Sequence, residues 1–570
     1  MKVSQLFTKT KKEAPADEVS KNAQLLIRAG YIHKEMAGAY TFLPLGLKVL
    51  ENINQVIREE MNAIGGQEMR LTALQDAEIW KATDRWDDEK VDVWFKTKLK
   101  NDTELGLAPT HEEPLVRAVK PYVNSYKDLP FLAYQIQTKF RNETRAKSGV
   151  MRGREFLMKD LYSFARSQEE HDELYEKIGA AYEKTFQRLG IGDKTFKTFA
   201  SGGMFSKYSH EFQTVIEAGE DEIYFDEVDN QYLNREIVAA LAGKKNEKEE
   251  PKELEEHELK GVIGAEALVK AFNIPLEKST KALFFVTDKD ELIMAVVRSD
   301  YNVDTDKLSE VLGVTSVVAA TPERILKETG AEVGYAGLVN LKAGIKTVLD
   351  DSLDGLCNFE TGTNKTGFHA VNVNFGRDVE TPKEFVDIKV PNRGDINPKN
   401  NQPYPVYSAA EVGNIFTLRD RFSKPLGLTF VDENGQDQNV LMGCYGIGPS
   451  RLVGVITELL GDEKGLVWPV NIAPYKVYLA SVGQDEAVVK AANDLYGDLQ
   501  ASGITVLYDD RDVRPGEKFA DADLLGMPYR VVVSNKTLEQ GKIEVKKRTA
   551  SDNELITTEE FKKVLQDSAA

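Results

Sequence analysis

The chain has 570 residues, more than one domain usually holds, and its 41% hydrophobic and 29% charged content is that of a globular protein, not a disordered or fibrous one. Its two cysteines, Cys357 and Cys444, lie far apart without a CxxC pair, which argues against a disulfide scaffold and a thiolate zinc site. A net charge of −19 (73 basic against 92 acidic side chains) excludes a uniformly basic nucleic-acid-binding surface, while the charged N-terminus and the lack of an ~18-residue apolar run point to a cytoplasmic enzyme-sized protein with no membrane partner.

In chain order, residues 46–64 read as an amphipathic helix, because Leu50, Ile53, Ile57, Met61 and Ile64 recur at spacings of three and four. Gly65-Gly66 ends it, and MRLTAL is expected to follow as a short strand. VDVWFKT, ELGLA, FLAYQIQTKF and REFLMKDLYSFA read as further strands, and a long charged helix around 168–189 precedes KTFKTFA. Adjacent strands with grouped helices predict an antiparallel sheet in an α+β domain. Residues 243–260, where 12 of 18 side chains are charged, read as an exposed connector. Residues 261–390 then alternate helix and strand as a separate unit, closed by the polar stretch VPNRGDINPKNNQPYP. Strand-like sequence resumes at 411–453, and 474–565 has the rhythm of a compact α/β domain with a partly parallel sheet.

One segment breaks the acidic average. Residues 134–160 carry Lys139, Arg141, Arg145, Lys147, Arg152, Arg154 and Lys159 against Glu143, Glu155 and Asp160, as an enzyme handling a polyanion at one place requires. Within it, Phe140-Arg141-Asn142-Glu143 is followed by Arg152-x-x-x-Phe156-x-x-x-Asp160. On two antiparallel strands alternate residues share a face, so Arg141 and Glu143 point the same way and Phe156 comes up from the partner strand. A guanidinium for phosphate, a carboxylate for an exocyclic amine and a ring for a base make a nucleotide site. Gly446-Ile447-Gly448-Pro449-Ser450-Arg451 reads as a small-residue strand-to-helix turn against which a nucleotide packs, with Arg451 reaching phosphates. It lacks the third glycine of a dinucleotide fingerprint.

Together these strings resemble motifs 2 and 3 of the class II aminoacyl-tRNA synthetases, and the helix–strand unit at 46–74 resembles motif 1, the dimer interface of that class. The family usually has proline where this chain has Thr72. YTFLPLG, APTHEEP, YQIQTKFRNETR, SHEF, MGCYGIGPSR and DDRDVRPGEKFADADLLGMP narrow the resemblance to the bacterial-type prolyl enzymes over nearly the whole chain. The resemblance implies a multidomain fold: a catalytic domain in two parts (1–224 and 408–473), an inserted α/β editing domain (225–407) and an α/β anticodon-binding domain (474–570). It implies a proline–tRNA ligase, with proline, ATP, magnesium and proline tRNA as partners, homodimeric, with no zinc and no DNA.

The same resemblance assigns residues. Thr110 and Glu112 would hold proline with Arg141 and His210. Arg141 would bridge the carboxylate and the α-phosphate, and Arg152 and Arg451 would hold the outer phosphates. Phe156 would stack on adenine, Glu143 would accept from its amino group, and Gly446 and Gly448 would let the nucleotide approach. Arg145 would touch the tRNA acceptor end. Lys281, Asp350 and His369 match editing residues, although Gly337-Leu338 stands where the family loop commonly has Gly-Pro. A synthetase-like subunit without catalysis is disfavoured, since Arg141, Arg152 and Arg451 are all present. A stand-alone deacylase would not need the rest of the chain, and the threonyl enzyme's zinc ligands have no counterpart.

Overall fold

A computed structural model describes residues 1–144, 146, 148–201 and 208–567. They fall into two compact units, one built from Met1–Thr198, Gly202–Asp221 and Ser408–Ala570, the other from Phe199–Ser201 and Glu222–Tyr407. Among the described residues no helix is long and apolar enough to cross a membrane.

The first unit is organised by an antiparallel sheet. The strands Tyr208–Val215, Val406–Arg419, Leu441–Ile447, Glu155–Ala165 and Phe131–Phe140 pair in that order, and Gly66–Glu68 adds a parallel edge beside Phe131–Phe140. The helices Pro44–Ala63, Gln168–Arg188 and Pro449–Leu460 share one core with the sheet. The first starts on a proline, whose fixed φ suits the opening turn, and gives way at Gly65, whose φ of +90° few other residues adopt. It buries Leu50, Ile53, Ile57 and Met61, each contributing roughly 1.5–3 kcal/mol. Ser167 caps the second helix by accepting from the Glu170 amide.

Two expectations need correction. MRLTAL is not a strand: the pairing segments are Gly66–Glu68 before it and Leu74–Asp76 overlapping its end. The intervening chain is used differently, with Leu71 accepting from and donating to the Gln137 amide. The charged segment 243–260 is not only a connector. Its Glu255–Glu258 pairs antiparallel with Phe368–Val373 as a charged edge strand, a composition that discourages further pairing.

The C-terminal part of this unit has the expected mixed sheet. Val477–Val482 lies parallel to both Val506–Asp509 and Tyr529–Ser534, and Ile543–Lys547 and Glu554–Ile556 complete it antiparallel. The second unit holds a four-stranded sheet, in which Thr280–Thr287 and Leu292–Arg298 are central, and a three-stranded sheet of Glu255–Glu258, Phe368–Val373 and Phe359–Gly362. The whole is a multidomain α+β and α/β protein.

Candidate active site

Residues paired across an antiparallel sheet project to the same face. The row Ile415–Tyr445–Leu161–Tyr134 faces the helices and is buried in the core. The neighbouring rows, Asn414–Gly446–Asp160 and Phe416–Cys444–Tyr162, therefore face the other way. A β-bulge adjusts this pattern: Phe212 pairs with Gly413 but Gln213 with Glu411, leaving Val412 as an extra residue. Glu411 and Asn414, three residues apart, thus project to one side.

That side carries a cavity of about 450 Å³, lined among others by Thr110, Glu112, Arg141, Asp160, Glu411 and Arg451. Gly446 keeps its floor low, since a Cβ there would meet Asn414 Oδ1 at 2.8 Å. Glu112 opens the helix Glu112–Val119, where the helix dipole favours a carboxylate. The Thr110 hydroxyl lies 2.7 Å from both its oxygens, and the Tyr162 hydroxyl donates at 3.2 Å. Arg85 Nη1 stands 3.2 Å from Glu112 and 2.9 Å from Glu113, with its guanidinium over the rings of Trp80 and Phe422. Burial works against ionisation of Glu112, but Arg85 and Thr110 overcome it and hold the carboxyl well below its usual range. Burial and the neighbouring Glu112 raise Glu113.

Arg141 follows the strand Phe131–Phe140; its Nε donates to the Pro109 carbonyl and its guanidinium lies 5.2 Å from the centre of the Phe156 ring. Burial, then Arg451, lower its pKa, but a guanidinium stays charged. Arg451, in the first turn of Pro449–Leu460, is aimed by backbone: Nε donates to Met151 O at 2.8 Å and Nη1 to Glu411 O at 2.7 Å. Arg141, Glu143, Arg152, Phe156, Gly448 and Arg451 line a smaller adjoining cavity. Another groups Arg152, Glu220, Asp221, Glu411 and Arg451, so hard oxygen donors stand beside two guanidinium groups.

Beneath the cavity, the fully buried Lys139 ammonium pairs with Asp160 and donates to His111 Nδ1. His111 Nε2 then donates to the Thr72 carbonyl at 3.1 Å. Burial, with Lys139 beside it, brings the imidazole down to about 4. Thr72 enters this network through its main chain, which also accepts from Gln75.

His210 is placed apart from Thr110 and Glu112. It pairs with Ile415, on the row that faces the helices, and its Nδ1 meets the Tyr175 hydroxyl at 2.8 Å. Burial, then Lys197, lowers the ring to about 4. Arg145 lies outside the described residues. In the second unit Lys281 Nζ donates to Tyr301 O at 2.8 Å and to Asn302, and burial lowers its pKa. Asp350 is fully buried, and its two oxygens accept from the Ser352 and Ile388 amides. His369 Nδ1 stands 2.8 Å from Glu360 Oε1. These partners are separate for the three residues. Leu338 N donates to Thr361 Oγ1, and its neighbour Gly337 leaves no room for a side chain, since a Cβ would meet Gly362 N at 2.6 Å.

Sequence reasoning missed Arg85, Glu113, Glu411, Asn414, Tyr162 and Cys444. Alternation from Asp160 along its strand could have found Tyr162, but nothing local to Arg85, in the loop KATDRWDD, announces its partner.

Comparison with known proteins accounts for this arrangement. Residues 95–459 match the tRNA synthetase class II core domain (G, H, P, S and T), and residues 476–568 match the anticodon binding domain. The chain is 39% identical over 562 residues to proline--tRNA ligase 1 of Bacillus thuringiensis subsp. konkukian (strain 97-27), covering 98% of each chain. It is 39% identical, at the same coverage, to proline--tRNA ligase 1 of Bacillus anthracis. The crystal structure of prolyl-tRNA synthetase from Cryptosporidium parvum complexed with halofuginone and AMPPNP superposes with a TM-score of 0.58. That match covers 96% of this chain and 77% of that one at 14% identity, a likeness of fold alone. The sheet, the charged cavity on its open face and the extent of these matches lead to one assignment: the chain belongs to the proline--tRNA ligase family of class II aminoacyl-tRNA synthetases.

Proposed function

We propose that the chain activates proline with ATP to prolyl-adenylate and transfers the prolyl group to the 3′ end of proline tRNA. The observation that carries this reading is the Thr110–Glu112 pair opening into the same cavity as Arg141 and Arg451. A secondary ammonium needs an ionised acceptor, which Glu112 is. The proline carboxylate attacks the α-phosphorus, a new C–O–P linkage forms, and pyrophosphate leaves. Arg141 neutralises charge at the reacting phosphate, and Arg152 and Arg451 hold the outer phosphates. Phe156 stacks on adenine, Glu143 accepts from its amine, and Gly446 and Gly448 allow the close approach. No protein nucleophile is required; alignment and preorganised charge lower the barrier.

Magnesium would supply charge neutralisation at the phosphates, and Glu220, Asp221 and Glu411 would offer the oxygen donors it prefers. We further propose a cytoplasmic homodimer formed through the 46–74 unit, and Arg145 as a contact to the tRNA acceptor end. Residues 1–224 and 408–473 would form the catalytic domain and 474–570 the anticodon-binding domain. Residues 225–407 would hydrolyse alanyl-tRNA through Lys281 and His369, with Asp350 serving that unit by holding the Ser352 and Ile388 amides. A proline pocket cannot exclude the smaller alanine sterically, and lost apolar contacts discriminate by only ~1–3 kcal/mol per methylene.

ATP–pyrophosphate exchange across all twenty amino acids tests the activation reading. Magnesium-dependent exchange with proline, and weak exchange with alanine, is expected. Strong exchange with threonine or histidine and none with proline overturns it.

A further inference from the structure

In the second unit a chain of hydrogen bonds takes a single direction when Glu360 is a carboxylate. Glu360, 1% exposed, places Oε1 2.8 Å from His369 Nδ1 and accepts at Oε2 from the Ser279 hydroxyl at 2.7 Å. Ser279 gives its only hydroxyl proton to that carboxylate, so Ser299, 2.9 Å away, must donate to Ser279. Thr280 donates to the Glu360 carbonyl, and Ser279 bridges to Glu360 through the backbone. The carboxylate is thus fixed from both sides where the strands Thr280–Thr287 and Phe359–Gly362 meet.

An ionised carboxylate only accepts, so His369 must carry its proton on Nδ1. In the neutral ring its Nε2 is then a bare lone pair. That atom is buried and, among the described residues, has no hydrogen-bond partner; the imidazole and the Tyr335 ring lie 5.4 Å apart, centre to centre. The carboxylate lies between the serine and the imidazole, which is not the order of a nucleophilic triad, where the imidazole stands in the middle. Ser279 is therefore anchored and not activated.

We propose that Glu360 is a positioning residue that locks His369 in the tautomer whose Nε2 accepts a proton-donating group of a bound aminoacyl ester. The proposal rests on the reading of residues 225–407 as an aminoacyl-tRNA deacylase. A carboxylate behind an imidazole fixes its orientation and raises its basicity, as it does for metal-bound histidines. A glutamine at 360 has one acceptor oxygen where two donors now converge. Either the serine or the histidine bond must reverse, and reversal at histidine moves its proton to Nε2.

The test uses the full chain labelled with ¹⁵N-histidine, with His369 assigned by comparison with His369→Asn. Wild type should show the Nδ1–H tautomer at His369. Glu360→Gln should shift that signal toward the Nε2–H form and slow alanyl-tRNA deacylation at least tenfold in kcat, with KM and proline-dependent exchange near wild type. Ser279→Ala, which loosens only the far oxygen, should give a smaller loss and serves if Glu360→Gln unfolds. An Nε2–H tautomer at His369 in wild type, or deacylation at the wild-type rate in a Glu360→Gln protein whose His369 tautomer has shifted, overturns the proposal. If wild type itself leaves alanyl-tRNA intact, the deacylase reading and the catalytic half of the proposal fall together, and the spectrum still decides whether Glu360 sets the tautomer.

Discussion

Arg152 Nη2 lies 2.9 Å from the Glu143 carboxylate, so two groups proposed for opposite ends of ATP satisfy each other in the free enzyme. The Arg152 side chain is 42% exposed, and such a pair is worth about 1 kcal/mol or less. Nucleotide binding can therefore exchange it for stronger, charge-assisted phosphate contacts. Arg152→Ala should raise the KM for ATP roughly tenfold and leave the KM for proline nearly unchanged. Pyrophosphate exchange at varied ATP checks this, and an unaltered ATP dependence would remove Arg152 from the site.

Arg85 holds two buried carboxylates, and its removal should be felt in both stability and pH dependence. Breaking a buried ion pair from one side costs about 3–5 kcal/mol. Arg85 also opposes the burial that would otherwise raise Glu112. In Arg85→Ala the Glu112 carboxyl should therefore titrate at higher pH, and the acid limb of kcat/KM for proline should move upward. A pH profile superposable on wild type would show that Glu112 is ionised without Arg85.

Gly446→Ala should empty the cavity of function while leaving the fold. The added methyl would meet Asn414 Oδ1, which now accepts from the Gly446 amide at 3.3 Å. Exchange should fall at least tenfold, the scale of a lost preorganised contact, with circular dichroism as in wild type. Normal exchange would mean that the floor is not where the substrates lie.

Asp350 behaves in the structure as a backbone clamp, capping Ser352 and receiving Ile388. Asp350→Ala should destabilise the second unit by about 2 kcal/mol or more, since buried amides lose their acceptors. Lys281→Ala should leave stability within about 0.5 kcal/mol and slow alanyl-tRNA clearance. Differential scanning calorimetry beside deacylation separates the two. Equal destabilisation by both changes would contradict the distinction.

Much of this is legible in the sequence. The 3.6-residue spacing of Leu50, Ile53, Ile57 and Met61 marks the helix, and alternation in FLAYQIQTKF marks the strand, because both faces of those elements are chosen by burial. Arg141, Glu143 and Arg152 stand out because charges concentrated in an acidic chain need a reason, Phe156 by its spacing from Arg152, and Arg451 by the small-residue turn before it. What local pattern cannot carry is partnership across sequence: Arg85 finds Glu113 through folding, and His210 takes its side of the sheet from a pairing with Ile415. Glu255–Glu258 was hidden for a different reason. Its pairing is made by main-chain groups, about which a run of charged side chains says little.

The extra residue at Val412 also acts as a reading frame for the sheet. Deleting it would not simply shorten a strand. Every side chain on one flank of the deletion would exchange the oily interior for the wet cavity, or the reverse, so either Glu411 or Asn414 would have to enter the core. A frameshift of this kind is lethal to the site without altering any functional residue. It makes a backbone irregularity, and not a side chain, the position in this strand least able to change length.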